Sequence, residues 1–506
     1  MAATRTRRPS REDKSTPVPS TRDLTAHAKF AYWVGQVAEG QKGAIFALFL
    51  LFYYNQVLGL SGSLCGLALL IAMAVDAITD PLMGSITDRW RSRWGRRHPF
   101  MYAAAVPMAI AVYFTFDPWV DSQAGLFVWL LVFGIAARML MTLYSVPHMA
   151  LGAEMTNDYQ ERTVVVAGRS LFGYLGQFLV YFFGFAVFFA SSAEFENGQL
   201  NSAAYPPFAL LMGAIMIVSI IYSAAGTHHL IPRLQRPEKP QAHPVRQLLL
   251  DTGEALRNPS FRWIAVGFIV VAGPVGTGMA FALYMNTFFW EVPPEGMTYI
   301  LLATPVGTAI GYLFAPLLAP HLEKRQSLIL GALGWAVFAV APVCLHYAGF
   351  FPAPGTTGVV VGLSVFAFLA GLVVSQVGVA VGSILGDVSD EQELVNGKRQ
   401  EGVFYGAYAF VNKATGGIGS AFSGFILDLI DWPRGEHVQS AADIPPDALF
   451  ALAMVAGPGL ALGFIPAVWC FMHYRLDREK HRAIVAELDA RRAAGDTPLP
   501  VTAGPT

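Results

Sequence analysis

The chain alternates long apolar stretches with short charged segments over most of its length. A run of about 20 apolar residues is the length of helix that crosses a bilayer. Open sheet cannot cross, because its edge backbone groups would stay unpaired in lipid, and the alternation typical of a β-barrel is missing. The pattern predicts an all-α membrane protein with twelve transmembrane helices, near 31–57, 62–87, 99–117, 123–151, 165–192, 205–231, 262–290, 296–321, 326–348, 357–386, 402–430 and 447–474.

The basic residues predict the orientation. Most of the 34 Lys and Arg residues lie in the N-terminal tail, the even-numbered loops and the C-terminal tail, whereas the odd-numbered loops contain only Arg434. Basic loops remain on the cytoplasmic side of a membrane. We therefore expect a multi-pass protein of the cytoplasmic membrane with both termini cytoplasmic. The basic tail leads directly into a long helix that carries Glu39 and Lys42, so we expect no cleavable signal peptide.

The longest connection, rich in Pro and charge, separates two sets of six helices. It is followed by 247–259, which predicts a short amphipathic helix at the membrane surface. Six helices on each side of a cytoplasmic linker is typical of carriers built from repeated halves. The predicted layout is a disordered basic tail at 1–28, a first half at 29–231, a linker at 232–260, a second half at 261–476 and a cytoplasmic tail at 477–506 that contains a short helix.

Composition supports this class and excludes others. The chain is 54% apolar and 14% charged, which is unlike a soluble protein. Its three cysteines, Cys65, Cys344 and Cys470, are scattered and suggest neither disulfides nor a zinc site. Hydrolase and metalloprotease motifs and a phosphate-binding loop are missing. We expect no enzyme, no cofactor, no metal beyond a possible transported sodium, and no nucleic-acid partner.

Several charged residues fall deep inside predicted helices. Each costs about 3 kcal/mol at the centre of a bilayer, so they should face one another or water in the interior of the bundle. They are Glu39, Lys42, Asp76, Asp80, Arg138, Arg169 and Lys413.

Asp76 and Asp80 are the most informative of these residues. They are four positions apart, so both carboxylates leave one face of the helix about 6 Å apart along its axis. Their repulsion needs a neighbouring positive charge, which a bound sodium ion, a shared proton or a basic side chain can supply. Alternatively, Asp80 braces the end of the helix and Asp76 pairs permanently with Arg138 or Arg169.

The loop that follows has the sequence GSITDRWRSRWGRRHP, residues 84–99. Its acid and arginines, Asp88, Arg96 and Arg97, can pair with one another and with neighbouring helix ends. Together with Gly84 they suggest a gate. The alternative is that this basic loop only sets the topology.

Three segments together resemble the signatures of one family. They are DAITDPLMGSITDRWRSRWGRRHPF at 76–100, SVPHMALGAEMTNDYQERTVVVAGR at 145–169 and ILGDVSDEQELVNGKRQEGVFYGAYAFVNKATGG at 384–417. These resemble the glycoside-pentoside-hexuronide:cation symporters of the major facilitator superfamily. The resemblance implies two six-helix halves and cation-coupled transport.

The same resemblance assigns roles to individual residues. It implies that Asp76 and Asp80 bind the cation, that the Thr142 hydroxyl lies near that ion, and that Lys413 is close to it. Thr79 occupies the position of an Asn in the family's sodium site, so sodium and protons are both possible coupling ions. Arg169 matches an arginine that contacts substrate. In the third segment, the charged residues Asp387, Arg399 and Glu401 are expected to take part in gating.

The sugar-binding positions depart from the family pattern. The acid expected on the first helix falls at Gly40, with Glu39 beside it and about 100° around the helix. The Asp and Trp expected on the fourth helix are Ser145 and Met149. His148 and Arg138 on that helix could form a different grip, or His148 could be a hydrogen-bonded interior histidine.

The leading hypothesis is therefore a symporter that uses a cation gradient to transport a sugar or glycoside-like solute by alternating access. A carrier of lysolipid or another amphiphile is the alternative. A non-transporting receptor is less favoured, because the tails are too short and polar for an output domain. The expected partners are a small solute, a coupling cation and the lipid bilayer, and the expected working unit is a monomer.

Overall fold

The computed structural model describes residues 24–156, 158–234, 244–318, 321–397, 400–435 and 437–494. This part of the chain is helical, with loops and no strand. Its α-helices are α1 Ala26–Leu48, α2 Gly62–Arg89, α3 His98–Thr115, α4 Gln123–Glu154, α5 Tyr159–Phe183, α6 Tyr205–Thr227, α7 Pro244–Ala255, α8 Pro259–Tyr284, α9 Pro294–Leu318, α10 Lys324–Tyr347, α11 Thr357–Asn396, α12 Glu401–Leu429, α13 Pro446–Met454, α14 Leu460–Met472 and α15 Arg478–Ala494. Short π-helical turns extend α1, α5 and α8 and join α13 to α14.

Helix is present at each of the twelve predicted spans. Among the described residues, ten helical stretches are long and apolar enough to cross a membrane. The other two predicted spans correspond to α1 and α12. The all-α membrane fold is therefore confirmed, because a continuous apolar run of this length is compatible with lipid only as a helix.

The short elements outside the spans also match the expectation closely. The predicted amphipathic helix is α7, shifted by three residues toward the N-terminus, and the tail helix is α15. The predicted tail at 1–28 extends too far, since α1 begins at Ala26, after Thr25 accepts a hydrogen bond from the Ala28 backbone at its N-terminus. The rest of that tail, residues 1–23, lies outside the described residues.

The helix pairings of the first six spans recur in the last six. In the first set, α1 packs on α5 and α6, and α3 packs on α4 and α6. In the second set, α8 packs on α12 and α14, and α10 packs on α11 and α14. The two sets meet chiefly where α2 packs on α12, with smaller contacts of α1 with α8 and of α5 with α9. The structure therefore repeats a packing pattern that is barely visible in the sequence.

Candidate functional site

Three residues on two helices form the centre of the charged cluster. α2 presents Asp76 and Asp80 one turn apart, and α4 presents Thr142 opposite them. The Thr142 Oγ1 lies 2.9 Å from Asp76 Oδ1 and 2.8 Å from Asp80 Oδ1. Asp76 and Thr142 are both buried. One hydroxyl thus bridges the two carboxyl groups.

The Thr142 bridge restricts the protonation states of Asp76 and Asp80. A hydroxyl has one proton, so Thr142 can donate to only one of the two acids at a time. The second contact becomes favourable when the other acid is protonated and donates to Oγ1, or when a cation lies between the oxygens. The arrangement can therefore hold a proton or a small cation.

Arg138 lies at the edge of this trio. Its Nη1 is 3.8 Å from Asp76 Oδ2, which is too long for a hydrogen bond, and 3.2 Å from Met73 Sδ. The guanidinium also sits over the ring of Phe46, 5.2 Å from its centre. Arg138 therefore balances part of the charge of Asp76, and it lies beside the carboxyl pair and not in a separate grip with His148.

Thr79 and Lys413 are the other two residues that were expected near the cation. The Thr79 hydroxyl donates to the backbone oxygen of Asp76 at 3.2 Å and so serves its own helix. Lys413 lies on α12, and its side chain is outside the described residues. α12 contacts α2 closely at Gly417, where an added Cβ would come 2.8 Å from Met73 Cβ. Lys413 is one helical turn from that contact.

Glu39 and Arg169 come from α1 and α5, which touch each other. The Gln36 Nε2 donates to Glu39 Oε2 at 2.7 Å. Within the part of the chain that the structure describes, Arg169 is half-buried and forms no hydrogen bond or ion pair. Its guanidinium is therefore available for a ligand.

The helix contact explains why Gly40 replaces the expected acid. A Cβ at Gly40 would lie 2.0 Å from the Gly173 backbone oxygen. Real Cβ atoms do not approach so closely, and small residues allow helices in a membrane to pack backbone to backbone. Position 40 therefore has no room for an acidic side chain, and Glu39 is the acid that α1 provides at this level.

His148 lies in the interior of the first half. It is fully buried, and its ring stacks between Tyr32 at 4.4 Å and Tyr144 at 5.1 Å. Its Nε2 lies 2.9 Å from the Tyr32 backbone oxygen. Of the two alternatives for His148, this environment favours the hydrogen-bonded interior histidine over a grip with Arg138. Ser145 is also buried, whereas Met149 is exposed.

The arginines of the 2/3 loop join three helices of the first half. The Arg97 Nη2 lies 2.7 Å from Asp88 Oδ1 and 2.8 Å from Glu154 Oε1, and Arg96 contacts the same Glu154 oxygen at 2.7 Å. Arg97 Nη1 also donates to Thr87 Oγ1. We call this side of the bundle the Arg97 end. Gly84 has ordinary space, since its nearest neighbour would be 3.9 Å from an added Cβ.

A similar cluster joins α10, α11 and α15. Asp387 forms an ion pair with Lys324 and lies 3.3 Å from His481 Nε2 on α15, which also reaches Asp390 at 3.1 Å. Glu401 is the first residue of α12, and Arg399 lies outside the described residues. At the Arg97 end, each described ion pair joins two residues of the same half.

The opposite end of the bundle joins the two halves. Asp428 on α12 accepts hydrogen bonds from Ser61 Oγ at 2.6 Å and from the backbone nitrogens of Gly62 and Ser63 at 2.9 and 2.8 Å. Nearby, Trp432 Nε1 donates to Gln56 Oε1 at 2.7 Å. We call this the Ser61 end. Sequence reasoning missed Asp428, Glu154 and His481, since their partners are remote along the chain.

Comparisons with known proteins agree with this architecture. The family model described as MFS/sugar transport protein matches residues 31–478. The isoprimeverose transporter of Lactiplantibacillus pentosus is 24% identical over 92% of this chain and 91% of its own length. The putative glycoside/cation symporter YagG of Escherichia coli is 26% identical over 82% of this chain and 85% of its own length.

Solved structures of transporters share the fold at low identity. The inward open structure of the xylose transporter XylE from E. coli has a TM-score of 0.58 at 13% identity and covers 91% of this chain and 98% of its own. A nucleoside transporter NupG mutant has a TM-score of 0.62 at 12% identity. These proteins are membrane transporters and not enzymes. Because the family model covers most of the described spans, the chain belongs to the MFS/sugar transport protein family.

Proposed function

We propose that this protein is a symporter that couples the entry of a proton or small cation to transport of a glycoside-like solute across the cytoplasmic membrane. The observation that carries the proposal is the Thr142 hydroxyl, which lies within hydrogen-bond distance of both Asp76 and Asp80. A cation or proton at this position removes the repulsion between the acids. The names of similar proteins, a glycoside/cation symporter and an isoprimeverose transporter, support a sugar-containing solute.

Cation binding and solute binding are coupled in this proposal through the packing of α2. Its carboxyl pair faces α4 of its own half, while its Met73 turn contacts α12 of the other half. Neutralising the pair changes the charge at this contact, so the cation favours one arrangement of the halves over the other. A solute that binds the same arrangement then binds more tightly in the presence of the cation, and the reverse also holds.

The contacts between the two halves suggest which end of the bundle is closed. The Ser61 end is held by hydrogen bonds between the halves, such as Ser61 to Asp428. At the Arg97 end, the described ion pairs stay within one half. The excess of basic residues supports a cytoplasmic position for the Arg97 end. These contacts support a conformation that is closed at the Ser61 end, on the outside.

The proposed site is complete within one chain, so we propose a monomer as the working unit. We propose that the solute lies between Glu39 and Arg169, whose carboxylate and guanidinium groups can hydrogen-bond to sugar hydroxyls.

Uptake into proteoliposomes tests the proposal. Sodium, lithium and proton gradients are imposed in turn, and the initial uptake of a panel of methyl and disaccharide glycosides is measured. One gradient should raise uptake at least ten-fold, and Asp76→Asn should abolish that increase. Asp121→Asn, an exposed loop acid, is the matched control. Equal uptake with and without every gradient would contradict the proposal. Uptake of lysolipids in place of glycosides would support the amphiphile alternative.

A further inference from the structure

The short helix α7 lies across the junction of the two halves. It packs on α12 of the second half and also contacts α2 of the first half. The Glu254 carboxylate of α7 accepts a hydrogen bond from the Gln400 side chain at 3.3 Å, and Gln400 directly precedes α12. Asp428, near the other end of α12, belongs to the Ser61 end. Helix α7 therefore touches both halves at the Arg97 end of the bundle.

The turn between α7 and α8 is held at one level of the bundle. Asn258 in this turn donates to Glu391 at 3.1 Å and to Gln392 at 3.2 Å, both on α11. Trp263 follows the first residue of α8 by about 6 Å along the axis. Its ring meets that of the exposed Trp469 of α14 edge to face, with ring centres 5.3 Å apart. Tryptophan side chains at the end of a span favour the headgroup layer of a bilayer, so α7 ends close to that layer.

The side of α7 that faces away from the bundle is apolar at its centre. Thr252 and Ala255 are buried. Leu249 and Leu250 are 55% and 52% exposed, and Arg246, one turn before Leu250, is also exposed. Each residue of a helix turns by about 100°, so these three exposed side chains lie within an arc of about 100°, away from the buried pair. A face of this kind is typical of a helix that lies in the plane of a membrane surface.

Basic residues stand at both ends of this apolar centre, and the neighbouring acids are engaged. Arg257 is exposed in the turn after α7, and its backbone nitrogen still bonds to the Glu254 backbone oxygen at 3.0 Å. The Asp251 carboxylate accepts from the Gln247 side chain at 2.7 Å, and the Glu254 carboxylate accepts from Gln400. Arginine side chains can reach lipid phosphates while leucines between them enter the acyl region. The charge and the apolar surface of this face are therefore complementary to an anionic leaflet.

We propose that Arg246, Leu249, Leu250 and Arg257, which we call the lipid face of α7, bind anionic phospholipids of the cytoplasmic leaflet. The leucines enter the leaflet and the arginines pair with its phosphates. The contact of α7 with both α2 and α12 belongs to the conformation that is closed at the Ser61 end. Lipid that holds α7 in this position therefore favours that conformation. Membrane composition then regulates the carrier, independently of its solute and coupling ion.

Lipid-dependent fluorescence quenching tests where the lipid face lies. Leu250→Cys, in a background without the three native cysteines, is labelled with the fluorophore NBD and placed in nanodiscs of phosphatidylcholine with or without phosphatidylglycerol. Val395→Cys, on an exposed position near the end of α11, is the matched control. Lipids with a doxyl group at the top of the acyl chain should quench the label at position 250 at least three-fold more than the label at 395. Equal quenching at the two positions would overturn the proposal.

Alkylation at the Ser61 end tests the effect of the lipid on conformation. A cysteine at the buried Val57 position is treated with a membrane-impermeant maleimide in the same nanodiscs. Phosphatidylglycerol should slow the reaction at least three-fold, and the double variant Arg246→Gln/Arg257→Gln should lose this difference. Lys480→Gln/Arg482→Gln, which removes two exposed charges from α15, is the control and should retain it.

Either of two alkylation results would overturn the proposal. One is an equal rate in the two lipid mixtures, which would mean that anionic lipid does not bias the conformation. The other is an undiminished effect of phosphatidylglycerol in the Arg246 and Arg257 double variant, which would mean that the lipid acts elsewhere. Because neither readout requires a solute or an ion gradient, failure here leaves the symport proposal standing.

Discussion

The Ser61 hydroxyl, directly before α2, donates to the Asp428 carboxylate of α12 across 2.6 Å, and this hydrogen bond joins the two halves. The same carboxylate accepts from the first backbone nitrogens of α2, at Gly62 and Ser63. An acid that accepts these hydrogen bonds has the role of a helix N-cap, here supplied by another helix. Arg434 holds Asp428 in place at 2.8 Å. The beginning of α2 is thus capped only when the Ser61 end is closed.

Replacement of this cap should open the Ser61 end. Asp428→Ala removes charge-assisted hydrogen bonds worth about 2 kcal/mol, which corresponds to a shift of more than ten-fold in the equilibrium between the two states. A cysteine introduced at Val57, which is buried at this end, reports the change through its rate of alkylation by a membrane-impermeant maleimide. The three native cysteines are replaced in this background.

Asp443→Ala is the control for that experiment. Asp443 lies at the same end, but its carboxylate accepts only from Gln439 and Ser440 of its own loop among the described contacts. It should leave the alkylation rate unchanged. If Asp428→Ala also left the rate unchanged, Asp428 would not hold the end closed.

Gly40 should tolerate no side chain. Gly40→Ala places a Cβ 2.0 Å from the Gly173 backbone oxygen, so α1 and α5 must separate, at a cost of about 1–3 kcal/mol. The melting temperature in detergent should fall, and so should uptake, because the separation moves Glu39 away from Arg169. Gly43→Ala on the same helix is matched and meets nothing within 4 Å. Equal melting temperatures for the two variants would rule out the close contact.

Substitutions of His148 and Arg169 should have different effects, the first on stability and the second on solute binding. His148→Gln disturbs a buried ring that stacks on Tyr32 and bonds to its backbone oxygen, so the free energy of unfolding should fall by about 1–3 kcal/mol. The apparent affinity for solute should stay the same. Arg169→Gln should weaken solute affinity at least ten-fold with little effect on melting. A reversal of these two patterns would assign the substrate role to His148.

Arg97 should be the main structural residue of the Arg97 end. Its guanidinium is buried and contacts Asp88, Glu154 and Thr87. Arg97→Ala removes this partner from Asp88 and leaves Glu154 with Arg96 alone, at a cost of about 3 kcal/mol. Melting should shift strongly downward. The exposed Arg91 of the same loop provides the control, and Arg91→Ala should melt as the wild type does. If both arginines mattered equally, the loop would act through its charge alone.

The helices could be predicted from the sequence with little error, because lipid admits few alternatives to a helix for each apolar run. The Asp76 and Asp80 pair could also be identified, since helical periodicity alone places both acids on one face. Helical periodicity does not identify the partners of these acids. Thr142 is more than sixty positions from Asp76, and only the family resemblance indicated it, since nothing local in the sequence shows which face of α4 is opposite α2.

The environments of His148 and Gly40 also depend on residues that are distant along the chain. His148 was a reasonable candidate because it lies in a helix with Ser145 and Met149, but its environment depends on Tyr32 of a distant helix. The absence of an acid at Gly40 was visible in the sequence as a departure from the family pattern. Its cause, the close approach of the Gly173 backbone, was not. Residues such as Asp428 and Glu154 carried no signal of their own, because an acid at a helix end is common.

The central claim is that Asp76 and Asp80 form a site for the coupling cation, and ligand-dependent stability tests it most directly. Purified wild type, Asp76→Asn, Asp80→Asn and the control Asp121→Asn are melted without solute across pH and in sodium or lithium chloride, against a matched potassium series. A cation at a hundred times its dissociation constant adds about 2.7 kcal/mol to the folded state. We expect sodium, lithium or protons to raise the melting temperature of the wild type and Asp121→Asn and to leave the two site variants unaffected; the same response in all four proteins, or in none, would contradict the claim.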